Sequence, residues 1–195
     1  MNNDASISLI LEGGFILNPI LRSDKSAFLD HFSDPEISRH LLGMPRPCTG
    51  ETVEEWLDHC VPASGSPTTM FAIRAPEGVL IGAIGIDGDL KSGAISAEFG
   101  YWLIPSHRGQ GIMPRAIHCF ADHIFQHFHI QRLCAMPFTT NVSSQRALEK
   151  AGFRRERSLR LHHPNPSLSQ DAVVYARLRE GSRDQESATR GAEGA

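Results

Sequence analysis

The fold is decided by residues 96–113, Ser96-Ala97-Glu98-Phe99-Gly100-Tyr101-Trp102-Leu103-Ile104-Pro105-Ser106-His107-Arg108-Gly109-Gln110-Gly111-Ile112-Met113. From Ala94 to Ile104 the side chains alternate. Ile95, Ala97, Phe99, Tyr101 and Leu103 fall on one face of a strand, and Ala94, Ser96, Glu98, Gly100, Trp102 and Ile104 on the other. The first face reads as core. The second carries a carboxylate amid small and apolar residues, a costly placement unless Glu98 faces water or a cleft. Behind the strand lies a short loop with Arg108, Gly109 and Gly111. A helix is predicted next, from about Gly111 to Phe128, where Ile117, Phe120, Ala121, Ile124 and Phe128 recur at helical spacing. Glycines let backbone approach a ligand closely, and free N–H groups at a helix start favour a polyphosphate. Pro114 near that start removes an N–H that has no helical acceptor. A Walker loop is excluded because G-K-[ST] is absent, and a dinucleotide fingerprint because its third glycine is missing. Taken by itself, the loop is equally consistent with a ligand-free strand-to-helix turn.

Outward from this segment, strands and helices alternate. Upstream, Gly14 to Leu21 reads as a strand and Asp24 to Phe32 as a helix that Asp34-Pro35 breaks. A second helix is expected at about Thr52 to Cys60, with Thr52 and Glu55 at capping-box spacing. Met70 to Ala75 and Val79 to Asp87 form a hairpin around Pro76-Glu77-Gly78. Downstream, Arg132 to Pro137 is a strand and Val142 to Ala151 a helix closed by Gly152. Arg154 to His162 and Ala172 to Leu178 are strands around the loop His163 to Gln170. The expected fold class is α/β (α+β), a mixed twisted sheet of about six or seven strands flanked by about four helices. Residues 1–180 read as one domain. Residues 181–195, rich in Gly, Ser, Arg, Glu and Ala and without an apolar period, read as a disordered tail.

Composition narrows the function classes. With 195 residues, 41% hydrophobic and 21% charged, the chain can bury a core without disulfides or a structural metal. A net charge of −3 gives no broad basic surface for nucleic acid, and no apolar run is long enough for a membrane span. The start, Met1-Asn2-Asn3-Asp4, lacks the basic region of a signal peptide. Cys48, Cys60, Cys119 and Cys134 show no C-x-x-C pair and read as free thiols of a reducing compartment, which points to the cytoplasm. His118, His123, His127 and His129 crowd one helix, but no H-E-x-x-H pattern accompanies them. A solvated face is expected there, and no metal.

The central loop, Arg108-Gly109-Gln110-Gly111-Ile112-Met113, resembles the [QR]-x-x-G-x-[GA] acetyl-CoA motif of GNAT N-acetyltransferases, with Met113 where Gly or Ala is usual. Ser96 to Leu103 is similar to the A-E-[IF]-G-Y-W-[LI] strand of the RimJ/RimL-type branch. Asn141-Val142-Ser143-Ser144-Gln145-Arg146-Ala147-Leu148-Glu149-Lys150-Ala151-Gly152-Phe153 is similar to its N-x-x-S-x-x-[AV]-x-E-K-x-G-F segment. The resemblance runs from about Phe15 to Leu178 and implies a GNAT fold. It implies transfer of an acetyl group from acetyl-CoA to a primary amine, a peptide N-terminus or a small molecule, by direct attack in a ternary complex. It places the coenzyme A pyrophosphate on the amides of Arg108, Gly109, Gln110, Gly111, Ile112 and Met113. It also places the pantetheine arm against Leu103, Ile104 and Asn141. Glu98 becomes the general base. Many relatives carry a Tyr that protonates the leaving thiolate where Leu148 stands, and the resemblance makes Ser144 the substitute donor.

The residues themselves add a length argument. Glu98 precedes Ile104 by about 20 Å of extended strand, close to the reach of a pantetheine arm. A partly desolvated Glu has a raised pKa suited to taking a proton from an ammonium. The plainer readings are a solvated surface Glu and a Ser144 hydroxyl bonded to a preceding helix carbonyl. His162 and His163 either border the acceptor or end a polar hairpin. Two rival functions stand beside the enzyme: a non-catalytic acyl-CoA sensor on the same scaffold, and a nucleotide-binding domain unrelated to coenzyme A. Neither nucleic acid nor membrane is an expected partner, and the chain is expected to act as a monomer or homodimer.

Overall fold

The computed structural model describes residues 7–38, 48–61, 68–86, 93–161 and 170–181. The strands are β1 (Leu9–Ile10), β2 (Ile16–Pro19), β3 (Met70–Arg74), β4 (Leu80–Ile86), β5 (Ser96–Leu103), β6 (Arg132–Ala135), β7 (Arg154–Leu161) and β8 (Gln170–Leu178). The α-helices are α1 (Lys25–Phe32), α2 (Pro35–Ser38), α3 (Gly50–Cys60), α4 (Ile112–His127) and α5 (Val142–Lys150). One 8-stranded sheet carries them in the order β1-β2-β3-β4-β5-β6-β8-β7. All neighbours are antiparallel except β5 and β6, so the mixed sheet expected from the sequence is what forms.

The sheet exceeds the expected strand count because the two-residue β1 pairs with β2 at the edge, too short to leave a periodic signal. The fifth helix is α2. Pro35, expected only to end a helix, instead starts one, because a Pro in the first turn gives up an N–H that has no partner there. The Asp34 carboxylate accepts the Glu36 N–H at 2.8 Å. Helix α3 begins earlier than expected. Its cap is Thr49, whose hydroxyl accepts the Thr52 N–H at 3.2 Å while the Thr52 hydroxyl accepts the Thr49 N–H at 2.9 Å. The box therefore joins Thr49 to Thr52, not Thr52 to Glu55.

Apolar side chains pack on both faces of the sheet. On one, Ile112, Ile117, Phe120 and Ile124 of α4 and Leu148 of α5 meet Phe71, Phe99 and Tyr175. On the other, Phe28, Phe32, Val53 and Leu57 of α1 and α3 meet Ala83 and Trp102. This corrects the reading of β5 as having a single core face. Trp102 is 9% exposed, buried by the aromatic edges of Phe28 and Phe32, whereas Ile95 just before the strand is 68% exposed. A buried ion pair ties the N-terminal layer to the sheet. Arg74 donates to both Asp24 oxygens at 3.0 and 2.8 Å and to Asn18 Oδ1 at 2.8 Å.

The expected tail lies outside the described residues apart from Gly181, the last of them. His162, His163 and the loop between the last strands also lie outside them, as do Asp87 and the turn that follows it to residue 92.

Candidate active site

The site begins where two strands part. β5 pairs with β6 through Ser96↔Arg132, Ala97↔Leu133 and Glu98↔Cys134, while its pairing with β4 continues from Phe99 to Leu103. Beyond Glu98 one edge of β5 therefore faces an opening. Ile104 N–H bonds the Ile81 carbonyl at 2.9 Å, and strand alternation then turns the N–H and C=O of Leu103 and Tyr101 away from β4, into the gap. A cavity of about 1150 Å³ fills it, lined among others by Glu98, Leu103, Gly111, Met136, Asn141 and Ser144.

The loop closing one end of the cavity is held by its own side chains. Arg108 donates from Nε to the Leu103 carbonyl at 3.0 Å and from Nη2 to the Glu36 carbonyl at 3.2 Å, bracing the loop against β5 and α2. Gln110 Nε2 donates to the Ser106 carbonyl at 3.1 Å. Gly109 and Gly111 sit at φ 77° and 73°, a region that L side chains enter only with strain. Gly111 caps α4, so the N–H groups of Ile112 and Met113 lack helical acceptors and present the positive end of a 16-residue helix. Met113, the departure from the usual motif, is half-buried and packs against the main core.

At the far wall, Asn141 caps α5: its Oδ1 accepts the Ser144 N–H at 3.1 Å and the Ser143 hydroxyl at 2.9 Å. Its side-chain NH₂ has no acceptor among the described residues. The Ser144 hydroxyl lies 2.7 Å from the Tyr101 hydroxyl, which also donates to the Ser144 carbonyl at 3.3 Å. Burial pushes the Tyr101 phenol far above its ordinary pKa, so it stays neutral. Glu98 is exposed at the point of divergence, so the desolvation expected for it is not supplied by the described residues. Opposite it, burial raises the Cys134 thiol above its ordinary value, and the Glu98 charge adds to the effect.

This geometry, an open strand edge leading from a carboxylate to a glycine-capped helix start, coincides with a family match: the acetyltransferase (GNAT) domain profile fits residues 15–154. The chain belongs to the GNAT acetyltransferase family. It is 34% identical over 99 residues to the probable N-acetyltransferase YjcK of Bacillus subtilis, covering 51% of this chain and 55% of the relative. It is 31% identical over 83 residues to the ribosomal-protein-serine acetyltransferase of Escherichia coli, covering 43% and 46%. The chain thus spans about half the length of the curated relatives it matches. Among solved structures, the ribosomal L7/L12 α-N-protein acetyltransferase RimL in complex with coenzyme A superposes with a TM-score of 0.77 at 19% identity, over 90% of this chain and 100% of that one, a likeness of fold.

Within this GNAT chain, the cavity brings together Glu98, Leu103, Arg108, Gly109, Gly111, Ile112, Met113, Asn141 and Ser144. Gln110 and Ile104 do not line it. Both backbone groups of Ile104 are already bonded, the N–H to Ile81 and the C=O to His107 N–H at 3.2 Å. Backbone pairing along the gap is left to Leu103 and Tyr101. The sequence reading placed Tyr101 in the core only. A phenol among apolar residues that needs a partner for its hydroxyl was the signal available. The histidines also need correcting. His123 is 3% exposed, donates from Nε2 to the Thr68 carbonyl at 3.3 Å, and stacks on His127 at 4.4 Å, so it belongs to the core rather than a solvated face. Among the described residues no cluster suited to a metal occurs, and no helix is long and apolar enough to cross a membrane. All four cysteines are free.

Proposed function

We propose that this GNAT chain transfers an acetyl group from acetyl-CoA to a primary amine, on a peptide N-terminus or a small molecule, in a ternary complex. The observation that carries this reading is one cavity joining three parts: the N-terminus of α4, the unpaired half of β5, and Glu98 where β5 and β6 separate. The amides of Gly109, Gly111, Ile112 and Met113 receive the pyrophosphate, the Arg108 N–H being held by the Pro105 carbonyl at 3.1 Å and Gln110 lying off the cavity, and the Leu103 and Tyr101 backbone and the Asn141 amide receive the pantetheine arm. Glu98 accepts the ammonium proton, and the neutral amine attacks the thioester carbonyl, with a backbone N–H of the open edge of β5 near the developing negative oxygen. Ser144 donates a hydrogen bond to the departing sulfur. The enzyme works in the cytoplasm without a metal, as a monomer or homodimer.

Calorimetric titration with acetyl-CoA, followed by coenzyme A release assays on free-N-terminal peptides, polyamines and aminoglycosides, tests the reading. Binding plus release with at least one amine is expected. Binding with no release on any of them favours a sensor, and stabilisation by ATP or NAD in place of acetyl-CoA favours an unrelated nucleotide site. The cradle has its own check. Gly111→Ala forces a Cβ into the left-handed region at a strain of about 1–2 kcal/mol. Its acetyl-CoA affinity should fall about ten-fold. Unchanged affinity by calorimetry would show that the backbone at Gly111 does not meet the ligand.

A further inference from the structure

The hydroxyl pair at the head of α5 has only a few ways to share its hydrogens. A phenol carries a single hydrogen, and the Ser144 carbonyl, 3.3 Å from the Tyr101 hydroxyl, can only accept. The Ser144 Oγ lies on the same side, at 2.7 Å. A Tyr101 hydrogen directed between these two acceptors leaves the Ser144 hydrogen without a use in the pair. Among the described residues that hydrogen has no acceptor other than Tyr101 itself, and the Ser144 N–H is already held by Asn141 at 3.1 Å. What remains on its open side is the cavity that Tyr101 and Ser144 both line.

We propose that Tyr101 is a positioning residue: it donates to Ser144 and so turns the Ser144 hydroxyl hydrogen into the cleft, toward the sulfur of a bound thioester. This rests on the acetyl-transfer reading above. When the C–S bond breaks, its electron pair stays on sulfur as a thiolate. The Ser144 O–H stabilises that charge as a hydrogen-bond donor and keeps its proton; the ammonium proton goes to Glu98 and on to the water that the exposed carboxylate faces, and the second nitrogen proton, shed as the new C–N bond becomes an amide, leaves to the same water. Tyr101 is suited to the task because its side chain is anchored between Phe99, at 5.8 Å between ring centroids, and the first turn of α5. Burial keeps its phenol protonated across the working pH range, so its donor role is constant.

The test is a two-by-two set of variants, wild type, Tyr101→Phe, Ser144→Ala and the double variant, assayed for coenzyme A release and titrated with coenzyme A. Tyr101→Phe should lower kcat about ten-fold while the KM for acetyl-CoA stays within about two-fold. Ser144→Ala should lose about as much, and the double variant no more than Ser144→Ala alone, because Tyr101 acts only through that hydroxyl. Losses that multiply, or a Tyr101→Phe enzyme at full kcat, overturn the proposal. A merely structural phenol would give the multiplying result. A second readout needs no turnover: the thiol of bound coenzyme A, followed by thiolate absorbance, should ionise at lower pH in the wild type than in either single variant. Coincident titration curves overturn the positioning. Failure of the wild type to bind coenzyme A overturns this proposal and the acetyl-transfer reading together, whereas turnover with an unaffected Tyr101→Phe variant overturns this one alone.

Discussion

Glu98→Gln is expected to reduce kcat by about 10²- to 10³-fold while leaving the KM for acetyl-CoA nearly unchanged. The side chain keeps its size and can still hydrogen-bond, so the packing of β5 should survive. What disappears is the capacity to hold a proton. An amine at neutral pH is mostly ammonium and cannot attack a carbonyl until that proton leaves. A carboxylate at the point where β5 and β6 diverge stands at the head of the open strand edge, away from the amides that start α4. Removing it should therefore touch the chemical step and not the grip on the cofactor. The pH profile separates this from an indirect effect. A general base works only when deprotonated, so the wild-type kcat/KM should fall on acidification through the pKa of the base. That limb should be absent in Glu98→Gln. A variant that keeps the full rate from about pH 6 to pH 9 removes Glu98 from the mechanism.

Those residues were legible because each departs from what its element needs. A strand of alternating apolar side chains has no packing use for Glu98. A strand-to-helix loop has no need of glycines on both sides of Gln110 unless backbone must take left-handed angles, and at φ 77° and 73° it does. Asn141 reads as a cap because its side chain can accept from a free N–H in the first turn of a helix, and it bonds that of Ser144. The parts that were not legible depend on contacts between distant segments. No local pattern announces that Trp102 is buried on the second face by α1, or that Tyr101 reaches Ser144 43 residues away in the chain. His123 looked solvated because its neighbours His118 and His127 sit at ordinary surface spacing. Its burial is set by Phe71 on β3, whose ring lies 5.1 Å away, edge-on. Periodicity also cannot say which backbone edge of a strand faces a neighbour. The partition between Leu103 and Ile104 followed only once the register with β4 was known.

The other large effect lies away from the chemistry, at Asp24. Asp24→Ala should destabilise the protein by about 3 kcal/mol, because it removes one partner of a buried pair and leaves the other charge behind. The side chains of Arg74 and Asp24 are 11% and 8% exposed, so water cannot readily replace the lost contact. Arg74 would keep Asn18 Oδ1 at 2.8 Å, a neutral acceptor for a guanidinium, and the Leu21 N–H would lose the Asp24 oxygen that it now reaches at 2.9 Å. Urea unfolding should show a lower midpoint with an unchanged slope, the sign that stability and not the extent of unfolding has altered. The pair is costly to break but is not the source of the fold's stability, and the double variant Asp24→Leu with Arg74→Met tells the two apart. Replacing both charges by apolar groups removes the stranded guanidinium, so this double variant should recover most of the loss. A single-variant loss below about 1 kcal/mol would mean that the pair is screened like a surface ion pair. The same variants reach the cofactor site indirectly. The pair anchors the start of α1, α1 leads into α2, and the Glu36 carbonyl on α2 accepts from Arg108 at 3.2 Å. If that chain of contacts holds the loop from Arg108 to Gly111 in place, acetyl-CoA affinity should weaken in Asp24→Ala and return in the double variant. Loss of stability with unchanged affinity would show that the Leu103 carbonyl alone suffices to hold Arg108.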